Sequence, residues 1–423
     1  MNFIKKISTF WKNLGPGITT GAADDDPSGI ATYSQTGAQY GFNFLWLAPI
    51  TFPLMAIVQE MCARIGLVTG MGLAGNIKKH HSKTAIYICA FLLLFANVFN
   101  IGADLGAMSE ATRLIFPKIN FGLLVIVFAI ISLALQIFIS YKNYSKYLKY
   151  LTFSLFAYII VVFFVDVNWW NVLQSLVWPK IVFNRESIFI ICAILGTTIS
   201  PYLFFWQTSQ EVEEYDLSPR ELVKAKGDLA LKYEIKTMRT DVWSGMFFSN
   251  IVMFFIIVTC AVTLFDNGVF HINTAAEAAS ALRPFAGNLT YILFTLGIIG
   301  TGFLAIPVLA GSVSYAFSEA FDWKTGLNKN WREALSFYLV IIAAVVLGIL
   351  LNFVGLDPIK ALIYSSVFNG LVSPVIIYFI LRLSGSERVM GEFRSKYSYS
   401  IIGWIVFGLM TLVGLFTLYV LFT

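Results

Sequence analysis

Six consecutive residues, Asp24-Asp25-Asp26-Pro27-Ser28-Gly29, carry the densest chemistry in the chain, and they interrupt an apolar segment. Three carboxylates at membrane depth are costly unless something cationic or aqueous meets them. Pro27 cannot continue the hydrogen-bond ladder of a preceding helix, yet it suits the first position of a new one. Asp26 then falls at the N-cap of the restarted helix. Gly15, Gly17 and Gly21 before the acids and Gly29 after them let the backbone bend and let other groups approach. The stretch is predicted to be a half-helix, an unwound acidic joint and a second half-helix. Main-chain carbonyls freed at such a joint are oxygen ligands for a cation.

A second stretch repeats the logic. In Gly196-Thr197-Thr198-Ile199-Ser200-Pro201, Ser200 stands before a proline as a capping side chain, as Asp26 stands before Pro27. The candidate ligands are the Asp26 carboxylate, carbonyls near Gly29, Gly196 and Thr197, the hydroxyls of Thr197, Thr198 and Ser200, and Asn369. Asn369 shares one side of a later span with Ser365 and Ser366. No His, Met or Cys lies at either break. Oxygen-only donor sets suit Mg, Ca and Mn, whereas soft donors select Zn, Cu and Fe. Magnesium typically keeps several waters beside one or two carboxylates, and the small residues Ser28, Gly29 and Ser200 leave room for a hydrated ion.

Other polar residues inside the apolar runs are candidates for a pathway. Asp24 and Asp25 are expected to line the cytosolic exit. Asn97, Asn100 and Asp104 recur at i, i+3 and i+7, a polar stripe that fits a hydrated pathway, a proton relay or an interhelical hydrogen-bond seam. Glu60 precedes Arg64 by four residues, so it is either a pathway acid or half of an ion pair. Cys192 either lines the outer path or packs in the core. Gln207, Gln210, Glu211, Glu213 and Glu214 are read as a solvated helix end in preference to an acidic vestibule, and His80 and His81 as surface residues beside Lys78 and Lys79. Apart from Arg64, no Lys or Arg lies well inside a span to neutralise the joint. Carboxylates in low dielectric protonate or acquire a counter-ion, and here the counter-ion is most simply a cationic substrate.

The elements that must position these residues follow from composition. The chain has 423 residues, 58% apolar and 13% charged, against about 25% charged in soluble proteins. With a mean hydropathy of +0.75 it is an all-α polytopic membrane protein. Eleven spans are predicted, at 15–41, 44–68, 84–109, 119–140, 147–165, 186–215, 242–265, 287–318, 333–353, 358–382 and 399–422, the first and sixth broken. Residues 1–423 form one transport domain: a repeat over 15–165, a second over 186–382, and an extra helix. Five spans per repeat give the two halves opposite orientation, the pattern of an inverted-repeat transporter with its site at the midplane. Most of the 29 lysines and arginines fall in alternate connections, which places the N-terminus in the cytoplasm and the C-terminus outside. Met1–Lys12 is read as a retained basic tail. Residues 216–241 are read as a surface connector, and 166–186 as an external loop anchored by Trp169, Trp170 and Trp178. The net charge of +5 follows from this topology and implies no nucleic-acid partner. The four cysteines lie in apolar runs without CxxC spacing, as buried small hydrophobes do.

These residues resemble the Nramp family of divalent-metal transporters. Gly15-Pro16-Gly17 followed by Asp26-Pro27-Ser28-Gly29 is similar to the family's GPG and DPGN elements. Gln59 to Gly70, with Leu73-Ala74, is similar to its second-span signature, and Ala103-Asp104-Leu105 to its T-D-L-x-E. Ser200-Pro201-Tyr202 falls where the family has M-P-H. The resemblance implies the LeuT-type fold, with helices 1 and 6 broken, and a metal site between those helices. It also locates departures: Gly29 for Asn, Ser200 for the thioether Met, Tyr202 for His, Ala107 for Glu, and no counterpart of the ninth-span arginines within Leu335–Leu351. That combination resembles the Nramp-related magnesium transporter branch, which moves Mg²⁺, and also Mn²⁺, without clear proton coupling.

The expectation is a plasma (inner) membrane importer of a partly hydrated Mg²⁺ or Mn²⁺ ion, working by alternating access. It is not an enzyme, needs no cofactor, has the metal ion and the lipid bilayer as its partners, and is sufficient as a monomer. The nearest rival is a proton-coupled Mn²⁺/Fe²⁺ carrier. A sodium-coupled carrier of organic solutes conflicts with the acid-rich joint. An intramembrane aspartyl protease built on Asp26 and Asp104 lacks the usual sequence settings of its aspartates.

Overall fold

The computed structural model describes residues 15–139, 155–180, 184–217 and 227–422. The basic N-terminal tail, the lysines at 142–149, residues 147–154 of the expected fifth span and residues 218–226 of the 216–241 connector lie outside the described residues.

The described residues open with two short helices, α1 (Pro16–Asp24) and α2 (Pro27–Tyr40), each with proline in its first turn. Then follow α3 (Leu47–Thr69), α4 (Leu73–His80), α5 (Lys83–Ile115), α6 (Phe121–Phe138), α7 (Phe156–Val161) and α8 (Trp169–Val177). The second half begins with another interrupted pair, α9 (Arg185–Thr198) and α10 (Pro201–Leu217), followed by α11 (Gly227–Thr263). After α12 (Ala275–Ser280) come α13 (Thr290–Ala320), α14 (Leu335–Leu351), α15 (Pro358–Ser384), α16 (Glu387–Met390) and α17 (Tyr397–Phe422).

Among the described residues eight segments are long and apolar enough to cross a membrane, and the apolar α14 is shorter. The α1–α2 pair supplies a further crossing in two pieces. Both predicted breaks are present, and each is two residues long: Asp25-Asp26 and Ile199-Ser200. The described part of the predicted surface connector, from Gly227, is helical and mostly exposed or half-buried, and it is the polar head of α11, continuous with the apolar span. The expected external loop at 166–186 contains the short helix α8, capped by the Asn168 side chain, and exposes Trp169, Trp170 and Trp178.

α6 and α17 expose rows of Leu, Ile and Phe, such as Leu123, Ile126 and Ile130 on α6 and Ile405, Leu412 and Phe416 on α17. Outer helices of this composition face lipid. The interior is held by small residues. Gly17 and Gly21 on α1 meet Gly245 on α11 so closely that a Cβ at Gly21 would overlap the Gly245 carbonyl. Helices that meet in an apolar solvent gain from such contact, because close backbones maximise van der Waals packing. All four cysteines are buried and free.

Candidate functional site

The first joint is sealed inside the bundle: Asp24, Asp25 and Asp26 are all at most 3% exposed. Asp26 caps α2 as its position before proline predicts, with extended backbone and Oδ1 accepting from Gly29 N at 2.7 Å and Ser28 Oγ at 2.6 Å. Its Oδ2 accepts from Asn100 Nδ2 on α5 at 2.9 Å. Asp24 and Asp25 turn toward α11, where the Ser249 hydroxyl donates to Asp24 Oδ2 at 2.6 Å and approaches Asp25 Oδ1 at 3.2 Å. The three neighbouring acids therefore point two ways. Among the described residues no group of three His, Cys, Asp or Glu side chains converges to hold a metal ion. A cation at Asp26 would meet one carboxylate and neutral oxygens.

The second joint differs from its expected form. The Ser200 hydroxyl donates backward, to the carbonyls of Thr197 at 2.6 Å and Gly196 at 2.8 Å, so it ties up the last turn of α9. Gly196 also has a packing role. An added Cβ would overlap the Ser366 carbonyl on α15, so glycine is needed for the α9–α15 crossing. The Thr197 Oγ1 is buried without a partner and lies 3.0 Å from where a Cβ on Gly29 would stand, which brings the two joints together.

α15 runs alongside both joints. Ser366 Oγ lies 3.4 Å from the Ser28 carbonyl of the first, and Ser373 Oγ donates to the Ile199 carbonyl of the second at 2.6 Å. Asn369 lies between these serines on the same helical face, fully buried, and both its amide oxygen and nitrogen lack a partner. Unpartnered buried amides are costly, which marks Asn369 as a side chain awaiting a ligand or water. Asn100 Oδ1 and both Asp104 carboxylate oxygens are likewise buried and unpartnered. Tyr202 OH reaches the Ala23 carbonyl at 3.2 Å, linking α10 to the last turn of α1.

The polar stripe on α5 divides into three roles. Asn97 donates to Leu309 O at 2.9 Å and Ser312 Oγ at 2.8 Å on α13, an interhelical seam. Asn100 faces Asp26. Asp104, one turn on, is within electrostatic reach of Asp26. Glu60 departs from the pathway reading: its two oxygens take Arg64, Arg239 and the Trp243 indole N–H, so it is the centre of an ion-pair cluster. Cys192 packs beside Val367 in a small apolar cluster with Ala193. The helix end at Gln207–Glu214 is also corrected, because Gln207, Gln210 and Glu211 are buried. Gln207 Nε2 donates to Glu211 at 2.7 Å, and its Oε1 accepts from Thr20 of α1 at 2.5 Å.

Sequence reasoning missed Asp241. Its carboxylate accepts from the backbone N–H groups of Gly15 at 2.9 Å, Gly17 at 2.6 Å and Ile18 at 3.3 Å, closing the N-terminus of α1. An acid suits that end of a helix dipole. The signal was present: Asp241, Gly245 and Ser249 recur every four residues, which aligns them on the one face of α11 that lies along α1.

The chain matches the model of the natural resistance-associated macrophage protein-like family, Nramp, over residues 17–420. It is similar to the divalent metal cation transporter MntH of Clostridium acetobutylicum, 26% identical over 99% of this chain and 93% of that one. The Mycobacterium tuberculosis protein of the same description is 24% identical over 99% of this chain and 93% of its own. Among solved structures, the Eremococcus coleocola manganese transporter superposes with a TM-score of 0.78 at 20% identity, covering 96% of this chain and 86% of that one. The nucleobase-cation-symport transporter Mhp1 superposes with a TM-score of 0.57 at 15% identity, covering 96% and 90%. The fold is thus the LeuT-type arrangement that the two breaks imply, and with a family match spanning nearly the whole chain, the protein belongs to the Nramp family.

Proposed function

We propose that this protein is a divalent metal cation transporter of the plasma membrane that imports Mg²⁺, with Mn²⁺ as a second cargo, by alternating access and without moving protons in the same cycle. The observation that carries the reading is the donor set. Asp26 is hydrogen-bonded to Asn100, Thr197 Oγ1 lies beside Gly29, and Asn369 sits on α15 between the serines that touch the two joints; the unpartnered oxygens of Asn100, Thr197 and Asn369 are hard ligands, and Ser200 stands where the family has a thioether. One carboxylate among neutral oxygens suits an ion that keeps part of its water shell. Asp26 supplies the charge. Asn369, Thr197 and carbonyls around Gly29 hold the ion or its waters, the Gly196 and Thr197 carbonyls offer only the lone pair that Ser200 leaves free, and Asp24 and Asp25 line its way out. The lysine and arginine asymmetry supports a cytoplasmic N-terminus and an external C-terminus.

The test is uptake into proteoliposomes of Mg²⁺, Mn²⁺ and Cd²⁺ with a pH dye inside. Mg²⁺ entry without acidification is expected. Preference for Cd²⁺ with proton influx would overturn the reading. It would favour the proton-coupled Mn²⁺/Fe²⁺ carrier, for which Asp104, a buried carboxylate with both oxygens free, is the natural proton carrier. The relatives described as divalent metal cation transporters, and the manganese transporter of like fold, support the broader class equally under either reading.

A further inference from the structure

A polar groove of about 510 Å³ lies far along the chain from the joints, where the ends of α4 and α15 meet α16 and the start of α17. Its charged lining is of one sign. Lys79, Arg382 and Arg388 border it with His80 and His81, and no Asp or Glu lines it. His80 and His81 are thereby corrected from plain surface residues to half-buried walls of a groove, His81 packing edge-on against Phe379. Lys79, Arg382 and Arg388 have no ion-pair partner among the described residues. Their neighbours do: Lys78 pairs with Asp322 at 2.6 Å and Arg394 with Glu387 at 2.8 Å.

The positive field converges on the groove. Burial, then Lys79 and Arg388, holds His80 below its ordinary value, and burial, then Arg382, does the same to His81. Like charges crowded around a concavity repel unless an anion joins them. Two further features suit the anion to the membrane boundary. Arg382 sits in the last turn of a span, and Ser400 and Trp404 line the groove one turn apart on α17, at the level where aromatic side chains mark the interface.

We propose that this groove is a binding site for a phosphate-bearing anion, with Arg382 and Arg388 as its forked hydrogen-bond donors and Lys79 as a point charge. Guanidinium groups match phosphate oxygens two at a time. An anionic lipid headgroup and a phosphate free in solution share this chemistry, and basic pockets between membrane helices are known hosts for the former.

The experiment uses the full chain in phosphatidylcholine nanodiscs. Native mass spectrometry counts phosphatidylglycerol retained when that lipid is supplied, and titration calorimetry with inorganic phosphate measures the soluble anion. Binding in at least one arm is expected, weakened about tenfold or more in Arg382→Gln/Arg388→Gln. Lys78→Gln, on the same helix but outside the groove lining and paired with Asp322, is expected to bind as the unmodified protein does. Retained phosphatidylglycerol identifies the lipid as the source; heat from inorganic phosphate alone identifies the soluble anion. Should the glutamine pair fail to fold, Arg382→Lys/Arg388→Lys keeps the charge and loses the fork, and weaker binding by that variant supports the same assignment. Absence of binding in both arms, or variants that bind as tightly as the parent, overturns it.

Discussion

The two joints share a length of two residues and a proline that restarts the helix, yet their side chains act in opposite directions. At the first, Asp26 reaches forward to the amide of Gly29 and keeps its second oxygen turned toward α5. At the second, Ser200 reaches back to the carbonyls of Gly196 and Thr197 and leaves no free hydrogen on its hydroxyl. One joint therefore concentrates negative charge where a cation can meet it, and the other spends its hydroxyl hydrogen on one lone pair of each of two carbonyls. A pair of half-helices that look symmetric in sequence is asymmetric in chemistry. The unpartnered oxygens nearest the first joint belong to Asn100 and Thr197, with Asn369 on α15 beside both joints, and not to Ser200.

Breaking the charged joint is expected to have the largest effect. Asp26→Asn keeps the shape and one oxygen but removes the charge, and Mg²⁺ uptake should fall by roughly 100-fold or more, since an ion at low dielectric then loses the carboxylate proposed to bind it. Uptake in proteoliposomes with an unchanged gel-filtration profile checks this, and transport at the parent rate would refute the assignment of Asp26. Ser200→Met sharpens the comparison from the other side. A thioether at the second joint should shift relative uptake from Mg²⁺ toward Cd²⁺ by about tenfold, measured as competition of Cd²⁺ against Mg²⁺. A smaller loss, about threefold to tenfold in apparent affinity, is expected for Asn369→Ala, because a hydrogen-bonding oxygen contributes about 1 kcal/mol. Ser200→Ala should leave Mg²⁺ affinity nearly unchanged and cost about 1 kcal/mol of stability, as its hydroxyl serves the α9 turn. Least of all should Glu60→Gln alter the KM for Mg²⁺, although it leaves the buried Arg64 poorly compensated and should destabilise the protein by about 3 kcal/mol in thermal or denaturant unfolding.

Local covalent rules made the joints legible. Proline forbids helix continuation and favours a restart, so both breaks could be located from sequence, and Asp26 behaves as an N-cap should. The rules stop where a side chain has two partners of similar quality. Ser200 could cap forward or bond back, and the choice depends on the carbonyls left open by the α9 turn. The α5 stripe was legible as polar but not as three separate roles, because α13 meets one turn of it, the joint meets the next, and Asp104 on the third has no hydrogen-bond partner among the described residues. Glu60 was recognisable as a partner of Arg64, yet Arg239 and Trp243 come from a helix about 180 residues away. Asp241 was missed for the same reason: what it caps is not its own helix. Helix ends are recorded locally in sequence, whereas contacts between helices appear only when the packing is known.

The Asp241 contact has a mechanical consequence. α1 has nine residues, so it is a rod about 13 Å long, fixed at one end by the two-residue joint and at the other by three hydrogen bonds to one carboxylate. Such a rod is a lever. Turning it about 15° around the joint would move its free tip by about 3.5 Å, more than the roughly 2.8 Å width of a water molecule. Water entering at the tip would rehydrate both the carboxylate and the amides, so little net hydrogen-bond energy opposes the swing. The glycine contact with α11 then becomes the stiffer element, and the strength of that backbone-to-backbone seam sets how readily the lever leaves its seat.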